Sequence, residues 1–175
     1  MKFRFHCLGL PHTRTNEDYV ACAYTQKVLK FCKMMHERGH HIIHYGTEGS
    51  DPICDENVVV LSNEKYNEVY GDHDFHSKWF KFDVNDDAYQ TFYKKAIEEV
   101  GKRKQKNDFI LPFWGWGVKT ICDAHQDDMI VVEPGIGYSG GHWARWKVFE
   151  SHALLHAYKG LEGANSCNMD WYETV

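Results

Sequence analysis

The sequence predicts an α/β fold, a Rossmann-like three-layer αβα sandwich around a mostly parallel sheet. Short runs rich in Val, Ile and Phe alternate along the chain with longer segments whose apolar residues recur at helical spacing. This alternation is typical of βαβ units and of a parallel sheet covered by helices on both faces. A length of 175 residues fits one domain, so we expect a single domain over 1–175.

Composition narrows the class of protein. A hydrophobic content of 43% and a charged content of 26% are ordinary for a globular domain. The formal net charge of −5 gives no global reason to expect nucleic acid as a partner. The six cysteines form no C-x-x-C pair, which favours reduced thiols, and no apolar run approaches the roughly 20 residues that span a bilayer. We therefore expect a cytoplasmic protein without a transmembrane segment.

The first elements form a βαβ unit. A strand is predicted over 3–9, and a second over 41–45. Between them lies a helix that we expect to end at Gly39. Its apolar face is marked by Val20, Tyr24, Val28, Phe31 and Met35. Strand, helix and strand in this order imply a parallel pair.

Later segments continue the alternation. Further strands are predicted over 58–61, 108–114 and 129–133, and Pro112 should end pairing of the middle one near Leu111. The polar and aromatic residues 63–84 favour a loop-rich excursion, after which Asp86 or Asp87 caps a long helix. A short helix is expected over 118–124. A last amphipathic helix, ended by Gly160, is indicated by Trp146, Phe149, Ala153, Leu154 and Ala157.

The stretch 129–142 is the most informative for function. An apolar strand stops at Glu133, and Gly135 and Gly137 follow, with Tyr138 and His142 nearby. Ligands of open α/β sheets bind at the carboxyl ends of the strands, and glycines allow a close backbone approach. A partly buried Glu133 would have a raised pKa suited to general-base catalysis. The alternative is a strand-end glutamate that caps the next helix.

Two other segments could carry chemistry. The loop that begins at Gly9 joins the first strand to the first helix, whose N-terminus could meet an anion; an ordinary βα turn is an equally good interpretation. The histidine-rich loop contains Asp72, His73, Asp74 and His76, but these residues form no closed ligand set of known spacing. We therefore predict no metal site, and a solvent-exposed polar loop is favoured there.

Several segments together resemble the N-terminal half of GT-B glycosyltransferases, most closely the group-1, family 4-like type of phage and bacteria. They are Pro11-His-Thr13, Tyr24-Thr-Gln-Lys27, Arg38-Gly-His-His-Ile-Ile-His-Tyr-Gly46, Val132-Glu-Pro-Gly-Ile-Gly-Tyr138 and Val148-Phe-Glu-Ser151. The resemblance covers nearly the whole chain. It implies one of two Rossmann-like domains that face a cleft, with the C-terminal, nucleotide-sugar-binding domain absent from this chain.

The resemblance also implies roles. A transferase of this type moves a sugar from a nucleotide-sugar donor to a hydroxyl acceptor, usually without a catalytic metal, and we expect no cofactor. The acceptor side would include Gly9, Pro11, His12, Thr13, Gly135, Gly137, Tyr138 and His142. Glu133 stands where the family often has a histidine, and we expect Glu133 and His12 to act in catalysis from one cleft. An isolated half should have little or no transferase activity.

Two other hypotheses remain: a stand-alone Rossmann-type domain that binds a small ligand without catalysis, and a metal-dependent hydrolase that uses the histidine-rich loop. A half GT-B domain would leave its cleft face uncovered. We therefore expect an exposed aromatic patch at that face, and self-association through it. The patch would consist of Trp114, Trp116, Tyr138 and Trp143.

Overall fold

The computed structural model describes residues 1–138 and 142–164, with side chains described as far as Leu161. Its centre is a six-stranded, all-parallel sheet in the order β3-β2-β1-β4-β5-β6. The strands are β1 (Arg4–Leu8), β2 (His41–Thr47), β3 (Glu56–Leu61), β4 (Phe109–Pro112), β5 (Ile130–Ile136) and β6 (Trp146–Phe149). All five predicted strands are present, and the predicted fold class is confirmed.

Helices cover both faces of the sheet. They are α1 (Ala23–Glu37), α2 (Asn63–Tyr70), α3 (Asp87–Arg103), α4 (Lys119–Asp123) and α5 (His152–Ala164), with 3-10 turns at Glu17–Tyr19 and Gly115–Val118. On one face, Val28 and Cys32 of α1 pack in a core with Ile42. On the other, Phe92 of α3 packs with Ile43. Two cores with the sheet between them make the three-layer sandwich. No helix in the described part of the chain is long and apolar enough to cross a bilayer.

The segment predicted to be loop-rich contains a helix. Ser62 caps α2, because its hydroxyl accepts a hydrogen bond from the Lys65 backbone N–H at 3.3 Å. Tyr66 and Tyr70 lie one turn apart and are buried. These two tyrosines, with the partly buried Val69, anchor a short helix whose other residues are polar. The rest of the segment, 71–86, is irregular and mostly exposed.

The predicted last helix was wrong at both ends. Trp146 lies in β6, where it pairs with Val132 of β5 in a parallel register. The helix α5 begins only at His152 and continues past Gly160 to Ala164. The apolar spacing from Trp146 to Phe149 suits a helix, but pairing with the neighbouring strand decides the structure there. Glu133 also differs from its prediction, because β5 continues beyond it to Ile136.

The strand order reverses at β1. After β1 the chain builds β2 and β3 on one side, and it then crosses to β4 on the other side. The chain therefore continues from β1 to a helix on one face of the sheet and from β4 to a helix on the other face. In open α/β sheets such a reversal of strand order is the usual ligand site. The segment after β1, 9–16, and the segment after β4, 113–118, flank this position.

Candidate functional site

The loop after β1 is packed tightly against the carboxyl end of β2 and against α1. The Gly9 N–H donates to the Tyr45 carbonyl oxygen at 2.8 Å, and a Cβ on Gly9 would lie 3.0 Å from that same oxygen. The Thr47 hydroxyl donates to the Pro11 carbonyl oxygen at 3.1 Å, and the Thr13 hydroxyl bonds that of Thr25 at 2.7 Å. These contacts account for glycine at position 9 and threonine at position 13, whereas the bond to Pro11 uses a backbone carbonyl oxygen that any residue would supply.

Arg14 joins three loops at the carboxyl edge, and sequence reasoning missed it. Its Nε donates to the Glu48 carbonyl oxygen at 2.9 Å, and its Nη2 donates to Asn63 Oδ1 at 2.8 Å. Its Nη1 donates to the Tyr19 hydroxyl at 3.0 Å, and the guanidinium lies 4.4 Å from the Tyr66 ring centroid. A planar fork with several donors suits such a position. The only sequence signal was a single arginine within the βα loop.

His12 lies just beyond β1 with only 4% of its surface exposed. Its Nδ1 and the Tyr89 hydroxyl are hydrogen-bonded at 2.6 Å. The Phe82 ring stacks on the imidazole with 4.8 Å between centroids, and the Trp114 indole meets it edge-on at 5.4 Å. Burial lowers the pKa of His12 to about 3, so the imidazole is neutral at physiological pH.

Glu133 is fully buried, and both of its carboxylate oxygens are engaged. Oε1 accepts from the Tyr138 hydroxyl at 2.5 Å. Oε2 accepts from the backbone N–H groups of Trp143 and Ala144 at 2.9 and 3.1 Å. Glu133 therefore ties Tyr138 and the segment that starts at His142 to the sheet. These contacts fit a structural role, but not the cap of the next helix that the sequence suggested, because Trp143 and Ala144 precede β6 and the next helix begins at His152.

The turn after β4 separates His12 from Glu133. Trp114 contacts His12, and a Cβ on the next residue, Gly115, would lie 3.1 Å from Glu133 Oε1. Gly115 has a φ of +56°, a conformation that glycine adopts without strain. Both predicted catalytic residues thus flank the same turn at the carboxyl edge of the sheet. A direct role for them in one shared cleft stays a prediction.

The glycines after Glu133 serve contacts between elements. The Lys27 Nζ of α1 donates to the Gly135 carbonyl oxygen at 2.9 Å and forms an ion pair with Glu150 at 2.6 Å. A Cβ on Gly137 would lie 2.1 Å from a Glu150 carboxylate oxygen. These contacts join α1 to the ends of β5 and β6. The space that the sequence suggested for a ligand is filled at Gly137 by the Glu150 side chain.

His142 is partly buried. The His142 ring meets the Tyr158 ring edge-on at 4.7 Å, and its buried Nδ1 has no hydrogen-bond partner among the described residues.

Of the four predicted patch residues, Trp116 is 63% exposed. Trp114, Tyr138 and Trp143 are partly buried. The exposed patch is therefore centred on one tryptophan, and self-association through it stays a prediction.

The histidine-rich loop makes local contacts. Asp74 accepts hydrogen bonds from the backbone N–H of His76 at 3.0 Å and from the Ser77 hydroxyl at 2.5 Å. His73 Nε2 bonds the Trp79 carbonyl oxygen at 2.8 Å. Within the described ranges, no three His, Cys, Asp or Glu side chains are grouped so that they could hold a metal ion. The loop therefore offers no ligand set for the metal-dependent hydrolase hypothesis.

Comparisons with known proteins add no family. No family model matches this chain, and no curated protein or solved structure matches it. The resemblance to GT-B glycosyltransferases therefore stays a prediction, and the function has to be argued from the fold and the site.

We predict that acid destabilises this edge of the sheet through two buried histidines. His44 bonds Asn57 Oδ1 and the Thr15 hydroxyl, each at 2.9 Å, and burial lowers its pKa to about 4. Burial lowers the pKa of His12 further, to about 3. The unfolded chain binds these protons at a higher pH than the folded protein does. The two histidines therefore leave the free energy of unfolding at its maximum above about pH 6.5. It should fall below that pH by roughly 1–2 kcal/mol per pH unit for each histidine, down to its folded pKa.

Urea denaturation between about pH 7 and about pH 5 checks this prediction. The variant His44→Gln is the control. It should take up about one proton fewer on unfolding, so its free energy of unfolding should depend less steeply on pH, whatever its absolute stability. An equal pH dependence in both proteins would show that His44 is not the group responsible.

Proposed function

We propose that this chain is the acceptor-binding half of a GT-B-type glycosyltransferase that moves a sugar from a nucleotide-sugar to a hydroxyl acceptor. The observation that carries the proposal is His12, a buried and neutral imidazole at the carboxyl end of a central strand. It lies beside the reversal of strand order, where open α/β sheets bind ligands. The sequence resemblance supplies the class of reaction.

The surroundings of His12 suit a hydroxyl ligand. A neutral imidazole can donate from one nitrogen and accept at the other. The hydrogen bond to Tyr89 holds Nδ1, which orients the ring, and burial raises the pKa of Tyr89 so that its hydroxyl remains protonated. Trp114 and Phe82 supply the apolar wall that small-molecule sites typically have. We infer that His12 orients an acceptor hydroxyl and does not take up its proton.

Access to His12 requires movement of the segment 71–86. Phe82 of this segment stacks on His12, and 41% of its surface is exposed. Phe75 stacks on Tyr19 with 4.0 Å between centroids. In the proposed function, the acceptor displaces Phe82 and takes its place against the imidazole. Glu133 supports the site through the segment that it ties down, and direct proton abstraction by Glu133 stays a prediction.

A second candidate function is ligand binding without catalysis by a stand-alone Rossmann-type domain. The observation that favours it is the strand order itself, because a reversal of this kind is the usual ligand position of open α/β sheets whatever the chemistry. The two functions differ in ligand. An acceptor-side domain should bind simple glycosides and bind nucleotides weakly. A stand-alone Rossmann-type domain whose small ligand is a nucleotide should do the reverse.

Saturation-transfer NMR on the 175-residue chain tests the proposal. The probes are the methyl glycosides of glucose, galactose, mannose and N-acetylglucosamine, and the nucleotides UMP and GMP. We expect transfer to at least one glycoside and little to the nucleotides. Phe82→Ala should strengthen glycoside binding because it uncovers His12, and His12→Gln should weaken it by about tenfold, as for the loss of one well-placed hydrogen-bonding group.

The Phe82→Ala variant keeps the test decisive if His12→Gln fails to fold, because a half-exposed ring can be removed with little loss of packing. Nucleotide binding that depends on His12 would favour the stand-alone domain. Glycoside binding that neither substitution changes would place the acceptor elsewhere and overturn the role of His12.

A further inference from the structure

Trp116 is an exposed tryptophan on a rigid turn. It lies in the 3-10 turn that follows β4, between Gly115 and Gly117. The Tyr93 hydroxyl donates to the Gly117 carbonyl oxygen at 2.6 Å, which fixes the turn to α3. Trp114, two residues earlier, packs inward against Tyr24 with 4.7 Å between centroids. The turn thus directs one indole into the protein and holds the next in solvent.

Polar groups surround the exposed indole. The Lys119 Nζ lies 5.7 Å from the Trp116 ring centroid and 5.0 Å from that of Trp143. The same Nζ forms an ion pair with Asp123, with 2.7 Å to Oδ1. The buried indole N–H of Trp143 has no partner among the described residues. Because the Trp143 donor is buried, the groups that border the exposed Trp116 ring are the Lys119 ammonium group and its paired Asp123 carboxylate.

We propose that Trp116, Lys119, Asp123 and Trp143 form a carbohydrate-binding platform. A pyranose has an apolar C–H face, which can lie against the Trp116 indole, and a rim of hydroxyls that donate and accept hydrogen bonds. The Asp123 carboxylate accepts from such hydroxyls, and Lys119 donates to them. An apolar wall with a few convergent polar groups is the usual form of a small-ligand site. The platform goes beyond the proposed transfer and does not need it.

Charge favours a sugar over the other occupants of an exposed tryptophan. A protein surface would have to desolvate the Lys119–Asp123 pair, which is costly unless both groups are matched. A sugar hydroxyl bonds both groups while they stay at the edge of the solvent. The Lys119 ammonium group is already neutralised by Asp123, so the pair has no net charge to attract a nucleotide phosphate. The ion pair therefore fits a neutral polyhydroxyl ligand.

Saturation-transfer NMR with cellotriose, maltotriose and chitotriose tests the platform on the 175-residue chain. Trp116→Ala should reduce affinity for the bound trisaccharide by about tenfold or more, the effect expected for an aromatic anchor. Trp79→Ala is the matched control, because Trp79 is also exposed, at 80%, and belongs to the separate segment 71–86. Its binding should equal that of the unmodified chain. Lys119→Met should weaken binding with the Trp116 ring still present.

Several outcomes would overturn the platform. They are no transfer to any of the three trisaccharides, equal binding by Trp116→Ala and the unmodified chain, and binding of UMP that Trp116→Ala abolishes. A dimer in sedimentation that Trp116→Ala dissolves would assign the tryptophan to a protein interface instead. The His12 variants separate this inference from the transfer proposal, because binding that depends on Trp116 alone would support only the platform.

Discussion

Gly117→Ala is expected to destabilise the protein by about 2–3 kcal/mol, because it overpacks a filled site. A Cβ at Gly117 would lie 1.7 Å from two atoms of the Trp114 indole. Trp114 cannot move away cheaply, since it packs against Tyr24, Phe82 and His12. The φ of Gly117 is not among the positive values, so the cost is one of space and not of backbone strain. Urea denaturation measures the loss.

Gly137→Ala is the matched control for this prediction. Its Cβ would also meet a side chain, at 2.1 Å, but that atom is a carboxylate oxygen of Glu150. Glu150 is long and nearly half exposed, so it can turn away at the cost of its ion pair with Lys27. A partly exposed pair contributes about 1 kcal/mol or less. Equal losses for the two variants would show that Trp114 is not held in place as the contacts indicate.

Local sequence patterns predicted most of the fold. They failed where contacts between residues that are distant in the sequence determine the structure. Alternating apolar runs and helical spacing identified five strands and the long helices, because burial of one face imposes that periodicity. At Trp146 and Phe149 the same spacing predicted a helix wrongly. Only the pairing of β6 with β5 makes that segment a strand, and this pairing joins residues that local spacing does not relate.

The candidate site, too, was predictable from the sequence only in part. The position of His12 after the first strand pointed to the carboxyl edge, and the structure places it there. Its partner Tyr89 is 77 residues away, and no local pattern relates the two. Arg14 illustrates the limit more strongly, since its bonds to Glu48 and Asn63 exist only after three loops have come together.

Glu133→Ala is expected to cost about 3–5 kcal/mol, as for a buried charged partner whose removal leaves its donors unsatisfied. The backbone N–H groups of Trp143 and Ala144 and the Tyr138 hydroxyl would all lose their acceptor. Glu133→Gln should cost only about 1 kcal/mol, because the amide oxygen can still accept from the backbone donors. The Tyr138 hydroxyl can rotate to accept from the amide NH₂ group.

The two substitutions together separate structure from catalysis. If Glu133 only holds the segment that starts at His142, turnover of a transferase that contains this domain should follow stability, so that Glu133→Gln stays active and Glu133→Ala does not. If Glu133 is also the general base, Glu133→Gln should lower turnover by about 10²-fold or more while the protein remains folded. Denaturation and turnover are measured on the same preparations. The engaged oxygens of Glu133 lead us to expect the first result, and a stable but inactive Glu133→Gln would contradict it.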